Sequence, residues 1–210
     1  MNVFFKALAV ALMLPMFVFA NNFEEGKHYE VISDRATKTP EINEFFSFYC
    51  PACNNMESIV ADIKPLLNEG VKFKKTHVNF MGGRSKENQD MLSQALATAE
   101  ALPEKDTLIA GLFNHIHGER KSINEVADIK DIFVAKGVDA TKFDKYYKSF
   151  GVRTKAKKME KQQQFFNGKG ALKSVPTFIV NGKYKINYGR EVGIASAEDM
   201  AKLINYLAQK

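Results

Sequence analysis

The chain has 210 residues, of which 45% are hydrophobic, so it is long enough to bury one full core or two small ones. Lys and Arg number 30 against 24 Asp and Glu, a formal net charge of +6. Basic and acidic residues are mixed along the predicted helices, as in residues 155–161, which argues against a nucleic-acid-binding face. No repeat, low-complexity tract or linker interrupts the pattern.

The N-terminus predicts a secretory signal peptide over residues 1–20. Lys6 precedes a continuous apolar run, and Val18 and Ala20 form the small-x-small end that a signal peptidase reads. The run is shorter than the roughly 20 residues of a membrane span, and no cysteine follows Ala20 to carry a lipid anchor. We therefore expect residues 21–210 to be a soluble exported chain.

Strands and one helix are predicted in the first part of the mature chain. Residues 29–32 form a short strand, and the aromatic-rich residues 41–48 suit a strand covered on both faces. Apolar residues then recur at helical spacing from Pro51 until Gly70 ends the helix. Residues 71–80 predict a further strand.

The stretch from about Ser85 to Phe166 is almost wholly helical in pattern. Within it, Ser122 and Glu125 predict a capping box in front of an apolar helical stripe. A block of helices between strands predicts an α/β sheet that carries a helical insertion.

The last part of the chain predicts a β-hairpin and a helix. Residues 176–180 and 184–188 flank Asn181-Gly182, a strong hairpin turn, and Ser196 caps the closing helix. We predict a thioredoxin-like fold in which residues 21–84 and 151–210 form one domain and residues 85–150 form the inserted helical domain.

The mature chain has two cysteines, Cys50 and Cys53, separated by two residues. A bridge that closes so short a loop adds little stability, so the pair is better explained as reactive than as structural. At the start of a helix, free N–H groups and the helix dipole stabilise a Cys50 thiolate. Cys53 lies one turn further in, where we expect it to be more buried and to act as the resolving thiol.

Four segments resemble the DsbA family, the periplasmic dithiol oxidases of bacteria. They are residues 44–53 (Glu-Phe-Phe-Ser-Phe-Tyr-Cys-Pro-Ala-Cys), 77–83 (His-Val-Asn-Phe-Met-Gly-Gly), 175–176 (Val-Pro) and 180–184 (Val-Asn-Gly-Lys-Tyr). The resemblance covers nearly all of the mature chain.

The resemblance implies that oxidised Cys50–Cys53 is attacked by a thiolate of an unfolded exported protein, which forms a mixed disulfide at Cys50. It implies reoxidation by a DsbB-like membrane quinone reductase, and no cofactor beyond the redox-active disulfide. It also implies a cis bond between Val175 and Pro176, which exposes the Val175 backbone to pair with the substrate.

Pro51 and Ala52 are the residues expected to tune the cysteine pair. The best-known members of the family carry His where this chain has Ala52. Ala offers neither a hydrogen bond nor a positive charge to a Cys50 thiolate, so we expect a weaker oxidant.

Glu44, Glu57 and Lys75 match positions where the family keeps a charged cluster beneath the cysteines. Strand alternation places Glu44 on an otherwise apolar face, where burial should raise its pKa. A proton relay to Cys53 is the functional interpretation. The alternative is that these side chains reach water, and for Glu57 and Lys75 the sequence does not decide between the two.

Two further features have competing interpretations. His115 and His117 could form a zinc site with Cys50 and Cys53, but residues two apart on a helix face away from each other, so we expect no metal. Phe48 and Tyr49 either form an exposed patch that grips unfolded chains or pack in the core.

Three functions remain open from the sequence. The first is a monomeric periplasmic dithiol oxidase. The second is a disulfide isomerase, a reductase or a specialised DsbA paralogue on the same fold. The third is a non-catalytic, chaperone-like binding module.

Overall fold

The structure is a computed structural model that describes residues 23–210. The predicted signal peptide lies outside the described residues. Within residues 23–210, no helix has both the length and the apolar character that crossing a bilayer requires.

Five strands and seven α-helices make up the fold of residues 23–210. The strands are β1 (Tyr29–Val31), β2 (Glu41–Phe46), β3 (Lys72–His77), β4 (Thr177–Val180) and β5 (Tyr184–Ile186). The helices are α1 (Pro51–Ile63), α2 (Lys86–Ala99), α3 (Lys105–Phe113), α4 (Val126–Ala135), α5 (Ala140–Tyr147), α6 (Phe150–Gly168) and α7 (Ala197–Ala208). A π-helical turn, Asn114–Gly118, continues α3.

The strands form one mixed sheet in the order β1-β5-β4-β2-β3. Strand β2 pairs in parallel with β3 and antiparallel with β4. All six residues of β2 are buried, as expected for a strand covered on both faces. The sheet with its helical block confirms the predicted α/β architecture.

Helices cover both faces of the sheet. On one face, α1 and α7 pack over Ile42 and Phe178. On the other face, Phe45 packs against Phe166 of α6. The C-terminal end of β2 therefore lies in the middle of the molecule, with the cysteines directly after it.

The helical block shares its core with the end of β2. Phe46, Phe48 and both cysteines belong to the same buried cluster as the apolar residues of α2 to α5. Helix α6 packs against β3 of the sheet and against α2 and α5 of the block. The cysteines thus lie where the sheet meets the helical block.

Several local predictions were wrong in detail. Strand β3 ends at His77, three residues earlier than predicted. Helix α1 ends at Ile63, well before Gly70, because Pro65 has no N–H to continue the helical bonding, and a 3-10 turn follows. The capping box in front of α4 joins Glu125 to Asp128, not Ser122 to Glu125. Strand β2 ends at Phe46, two residues earlier than predicted.

The hairpin turn and the last cap agree with the sequence. Asn181 and Gly182 both have positive φ, 52° and 63°, and the Lys183 N–H donates to the Val180 carbonyl over 3.0 Å. Ser196 caps α7 and forms a capping box with Asp199.

Candidate active site

Cys50 is the N-cap residue of α1. Its backbone is extended, with φ −90° and ψ 115°, and Pro51 occupies the first helical position, where a missing N–H costs nothing. The Cys53 N–H donates to Cys50 Sγ over 3.2 Å. The sulfur therefore receives one of the free amide groups of the helix N-terminus, an arrangement that stabilises a thiolate there.

The two cysteines, both present as free thiols, differ in burial. Cys50 retains 4% exposure beside the exposed Pro51 and Ala52, whereas Cys53 has none. Burial raises the pKa of the Cys53 thiol, and the nearby Cys50 and Glu44 raise it further. In the reduced pair Cys53 therefore keeps its proton. Cys50 is the sulfur that solvent reaches.

The loop before β4 lies directly beside Cys50. The Val175–Pro176 peptide bond is cis, the conformation that the family resemblance implies. The Cys50 thiol donates to the Val175 carbonyl, with 3.5 Å between the atoms. A surface cleft of about 600 Å³ adjoins this bond and is lined in part by Ser174, Pro176 and Tyr188.

Tyr188 is a site residue that the sequence does not reveal. Its hydroxyl donates to the Pro176 carbonyl over 3.1 Å. Burial raises the pKa of Tyr188 to about 12, and negative charge on Cys53, Glu44 or Cys50 acts in the same direction. Tyr188 is the last residue of the predicted hairpin, and no spacing or motif ties it to the cysteines.

Glu44, Lys75 and Glu57 form one connected cluster. Lys75 Nζ lies 2.6 Å from Glu44 Oε2 and 2.5 Å from Glu57 Oε1. The parallel pairing of β2 and β3 sets Glu44 directly opposite Lys75, and α1 brings Glu57 over them. Glu44 is fully buried, while the Glu57 side chain is 29% exposed.

Burial controls the protonation of this cluster. Burial raises the pKa of Glu44 even though the Lys75 charge lowers it, and the charge of Glu57 adds to the rise. Burial acts to lower the pKa of Lys75, but the two carboxylates outweigh that effect and raise it. Lys75 therefore stays charged. Glu44 is the carboxyl group of the cluster that keeps its proton to a higher pH than an ordinary carboxyl group does.

His77 lies in the same buried region but is held neutral. Its Nδ1 donates to Ser93 Oγ over 2.9 Å, because the Ser93 hydroxyl hydrogen is itself donated to the Gln89 carbonyl. The ring stacks on Phe48, and burial lowers its pKa to about 3. Phe48 is itself fully buried, which decides in favour of core packing over an exposed patch at this residue.

Tyr49, the other residue considered for an exposed apolar patch, is partly shielded from solvent. Tyr49 is half-buried, with its hydroxyl 3.4 Å from the Ile123 carbonyl and the Arg84 guanidinium 4.6 Å from the centre of its ring. The apolar surface near the cysteines is therefore smaller than a patch of both aromatic residues.

The two neighbouring histidines of the π-helical turn bind different backbone segments. His117 Nε2 donates to the Phe48 carbonyl over 2.8 Å, and His115 Nε2 lies 3.3 Å from the Ser122 carbonyl. His117 thus fixes the segment that leads into Cys50, a contact that sequence spacing could not indicate. Across residues 23–210, no three His, Cys, Asp or Glu side chains are grouped to hold a metal.

The site is an exchangeable thiol pair: one sulfur at a helix N-terminus, its partner buried, and a backbone carbonyl beside the first.

A family model described as a DSBA-like thioredoxin domain matches residues 41–207. The chain is 33% identical to the thiol:disulfide interchange protein DsbA of Escherichia coli K12 over 210 residues, which covers 97% of each chain. It is 34% identical to DsbA of Haemophilus influenzae over 183 residues, 86% of this chain and 84% of that one.

Solved structures agree with this relationship. A cysteine-to-serine variant of Proteus mirabilis DsbA, crystallised with a non-covalently bound peptide, matches with a TM-score of 0.77 and 27% identity, covering 90% of this chain and 100% of that one. DsbA from Klebsiella pneumoniae matches with a TM-score of 0.75 and 28% identity, covering 91% and 100%. The predicted thioredoxin-like fold is thereby confirmed, and the chain belongs to the DsbA family of thiol:disulfide oxidoreductases.

Proposed function

We propose that this protein is a dithiol oxidase that donates its Cys50–Cys53 disulfide to cysteine-containing exported proteins. A substrate thiolate attacks Cys50 Sγ, the Cys50–Cys53 bond breaks, and Cys53 leaves with the electron pair and takes up a proton. A second substrate thiolate then attacks the substrate sulfur of the mixed disulfide, and Cys50 leaves as a thiolate. Two substrate thiols become one disulfide, and the enzyme is left reduced.

The hydrogen bond from the Cys53 N–H to Cys50 Sγ, 3.2 Å long, is the observation that carries this proposal. It stabilises the Cys50 thiolate that the second step releases, and a stabilised reduced form makes the disulfide a stronger oxidant. The burial of Cys53 supports the same direction of attack, since an incoming thiolate reaches Cys50 first.

Val175 and Pro176 would hold the substrate chain. The Val175 carbonyl lies 3.5 Å from Cys50 Sγ, close enough to pair with the backbone of a peptide whose cysteine is bonded to Cys50. The relative from Proteus mirabilis binds a peptide non-covalently, which supports a peptide site in this fold.

Glu44, Lys75 and Glu57 would supply the proton that Cys53 takes up. Glu44 is buried and holds its proton to higher pH than an ordinary carboxyl, and its charge already affects the pKa of Cys53. Lys75 links Glu44 to the partly exposed Glu57, so a proton that Glu44 passes to Cys53 can be replaced from water along a polar route.

The remaining parts of the proposal concern the setting. We infer a periplasmic monomer, exported by residues 1–20 and reoxidised by a DsbB-like membrane quinone reductase. Residues 21–84 and 151–210 would form the thioredoxin-like domain, with residues 85–150 as its helical insertion. Membership of the DsbA family supports each of these inferences.

Stoichiometric oxidation of a reduced, unfolded protein with several cysteines tests the function. The purified oxidised form should transfer one disulfide per molecule, and Cys50→Ser should abolish transfer. Cys53→Ser has no disulfide of its own, so its Cys50 is first converted to a mixed disulfide with thionitrobenzoate. A peptide with a single cysteine should then displace thionitrobenzoate and stay bonded to Cys50 as a mixed disulfide that is visible on a non-reducing gel. A wild-type protein that reshuffles wrong disulfides but oxidises thiols poorly would instead be an isomerase or a reductase.

Ala52 is the residue that favours an isomerase or a reductase within the same family. It is exposed at the helix start and offers no side-chain donor to the Cys50 sulfur. Peptide binding that persists in Cys50→Ser, with no oxidation by the wild type, would point instead to a binding module.

A further inference from the structure

The even mixture of charges expected from residues 155–161 does not hold for the whole chain, because basic charge is concentrated in one segment, residues 142–173. That segment contains ten Lys or Arg residues and two Asp or Glu residues, a local net charge of +8, whereas the whole chain carries +6. The rest of the chain is therefore slightly acidic. Most of the segment is α6, together with the end of α5 before it and the loop after it.

The exposed side of α6 carries lysines between two phenylalanines. Phe150 is 78% exposed and Phe165 is 51% exposed, the two largest exposures among the large hydrophobic residues of the described chain. Fifteen residues separate them, about 22 Å along the helix and about 60° around it. Lys157, Lys158 and Lys161 lie between them on the same side, and we call these five residues the basic face.

The lysines of the basic face are free to bind a partner. None of the three forms an ion pair within residues 23–210, whereas Lys155, at the edge of the face, binds Glu100 over 2.7 Å. The one acidic residue of α6, Glu160, lies 3.0 Å from Lys86 of another helix. The opposite side of α6 is buried in the protein through Val152, Met159 and Phe166, so a partner can reach the helix only from the side that carries the basic face.

We propose that the basic face binds the surface of a bilayer that contains anionic phospholipid. Ammonium groups are attracted to the lipid phosphates, and an aromatic ring at each end of the lysine cluster can enter the boundary between headgroups and acyl chains. Nucleic acid fits less well, because its bases stack on neighbouring aromatic side chains, and these two rings stand about 22 Å apart.

The inference goes beyond the proposed oxidase and does not depend on its chemistry. If the protein is exported, as proposed, the basic face holds it at the membrane where a reoxidising partner would reside. Cys50 is not part of the face, so membrane binding and thiol oxidation are separable in experiments.

Co-sedimentation with vesicles tests the proposal, and it suits a chain without tryptophan. The mature chain, residues 21–210, is mixed with vesicles of phosphatidylcholine alone or with 30% phosphatidylglycerol, at low and at high salt. The variants are Lys157→Glu/Lys161→Glu, Phe150→Ser/Phe165→Ser, and the control Lys136→Glu/Lys202→Glu, whose exposed lysines lie on α7 and directly after α4. Circular dichroism checks that each variant folds.

The wild type should bind the phosphatidylglycerol vesicles, bind phosphatidylcholine far less, and dissociate as salt rises. Lys157→Glu/Lys161→Glu should bind roughly 30-fold more weakly, since each basic residue near the surface contributes about a fivefold effect. The phenylalanine variant should bind several-fold more weakly with its salt dependence retained. Oxidation of a soluble substrate should be unchanged in every variant.

Three results would overturn the proposal. The first is no preference for phosphatidylglycerol, and the second is an equal loss in the control variant, which would show an effect of net charge alone. The third is displacement from the vesicles by single-stranded DNA at equal phosphate concentration, which would favour nucleic acid. A failed oxidase with intact vesicle binding would refute only the proposed function.

Discussion

Lys75 binds Glu44 in the interior of the protein, with 2.6 Å between Nζ and Oε2 and 3% and 0% of the two side chains exposed. A second carboxyl, Glu57, approaches the same ammonium group from the solvent side. Two acids thus share one cation beneath the cysteines. Burial raises the pKa of Glu44 despite the Lys75 charge, and the charge of Glu57 adds to the rise, while the two carboxylates keep Lys75 charged.

Lys75→Met should destabilise the protein by about 3–5 kcal/mol at pH 7, because it leaves a buried carboxylate without its cation. The loss should be smaller at pH 5, where Glu44, with its raised pKa, is more fully protonated. Urea unfolding at both pH values measures it. Lys74→Met is the matched control: that side chain is 45% exposed and pairs with Glu41, so its removal should cost under about 1 kcal/mol. Equal losses in the two variants would contradict a special role for the buried pair.

Glu44→Gln should change the pH dependence of disulfide exchange. If Glu44 donates the proton that Cys53 takes up, the wild-type rate per substrate thiolate falls as pH rises through the raised pKa of Glu44. Glu44→Gln should lack that decrease, and at pH values below the pKa of Glu44 it should react more slowly than the wild type. Stopped-flow reduction of the oxidised enzyme by glutathione measures the profile, with Glu57→Gln as the comparison at the solvent end. An unchanged profile in Glu44→Gln removes Glu44 from the relay.

His77 should make the protein less stable in mild acid. Burial lowers its pKa to about 3, so between there and the ordinary value of 6.5 the unfolded chain binds a proton that the folded chain does not. Stability therefore rises with pH across this window and falls on acidification, by about 2 kcal/mol at pH 5. His77→Gln should lose less stability than the wild type between pH 7 and pH 5. His115→Gln controls for the loss of one histidine, and parallel curves for the wild type and His77→Gln would refute this assignment.

Ala52→His should make the protein a stronger oxidant. An imidazole at this exposed position beside the N-cap can donate to the Cys50 thiolate and favour the reduced form. We expect the reduction potential to become less negative by a few tens of millivolts, where ~30 mV corresponds to ~1.4 kcal/mol. Redox titration against glutathione measures the shift. Asn55→His, exposed further along α1, should leave the potential near that of the wild type, and no shift or the opposite shift in Ala52→His ends the idea.

Tyr188→Phe should loosen the loop that carries the cis bond. It removes the hydroxyl that donates to the Pro176 carbonyl and leaves the ring in place. We expect a loss of about 0.5–1.5 kcal/mol in stability and a several-fold lower rate of oxidation of a peptide substrate. Tyr184→Phe removes a hydroxyl from a more deeply buried ring in the same hairpin and should leave the peptide rate unchanged. A Tyr188→Phe enzyme with the wild-type peptide rate would remove Tyr188 from the site.

Much of the fold was predictable because it follows from local pattern. The aromatic run of β2, the helix start at Pro51 and the Asn181-Gly182 turn each have a short-range physical cause. The family resemblance indicated that Glu44 and Lys75 belong to one cluster, although only the strand register shows that they are directly opposite.

The contacts that sequence reasoning missed join distant segments. His117 lies 69 residues from the Phe48 carbonyl it binds, and a π-helical turn, which shifts side chains away from the usual helical spacing, orients it. Tyr188 reaches the site only because β5 folds back beside β4. Neither position has a local signal that periodicity or capping could detect.

The contact between Cys50 and Val175 joins residues that are 125 positions apart, with the whole helical block between them. During synthesis, which starts at the N-terminus, the chain therefore contains both thiols long before it contains Val175 and the loop beside which they would react. The protein can therefore position a substrate only after synthesis has passed Val175. A fragment that ends before the final hairpin would carry the two thiols without the backbone carbonyl beside which an incoming peptide would bind.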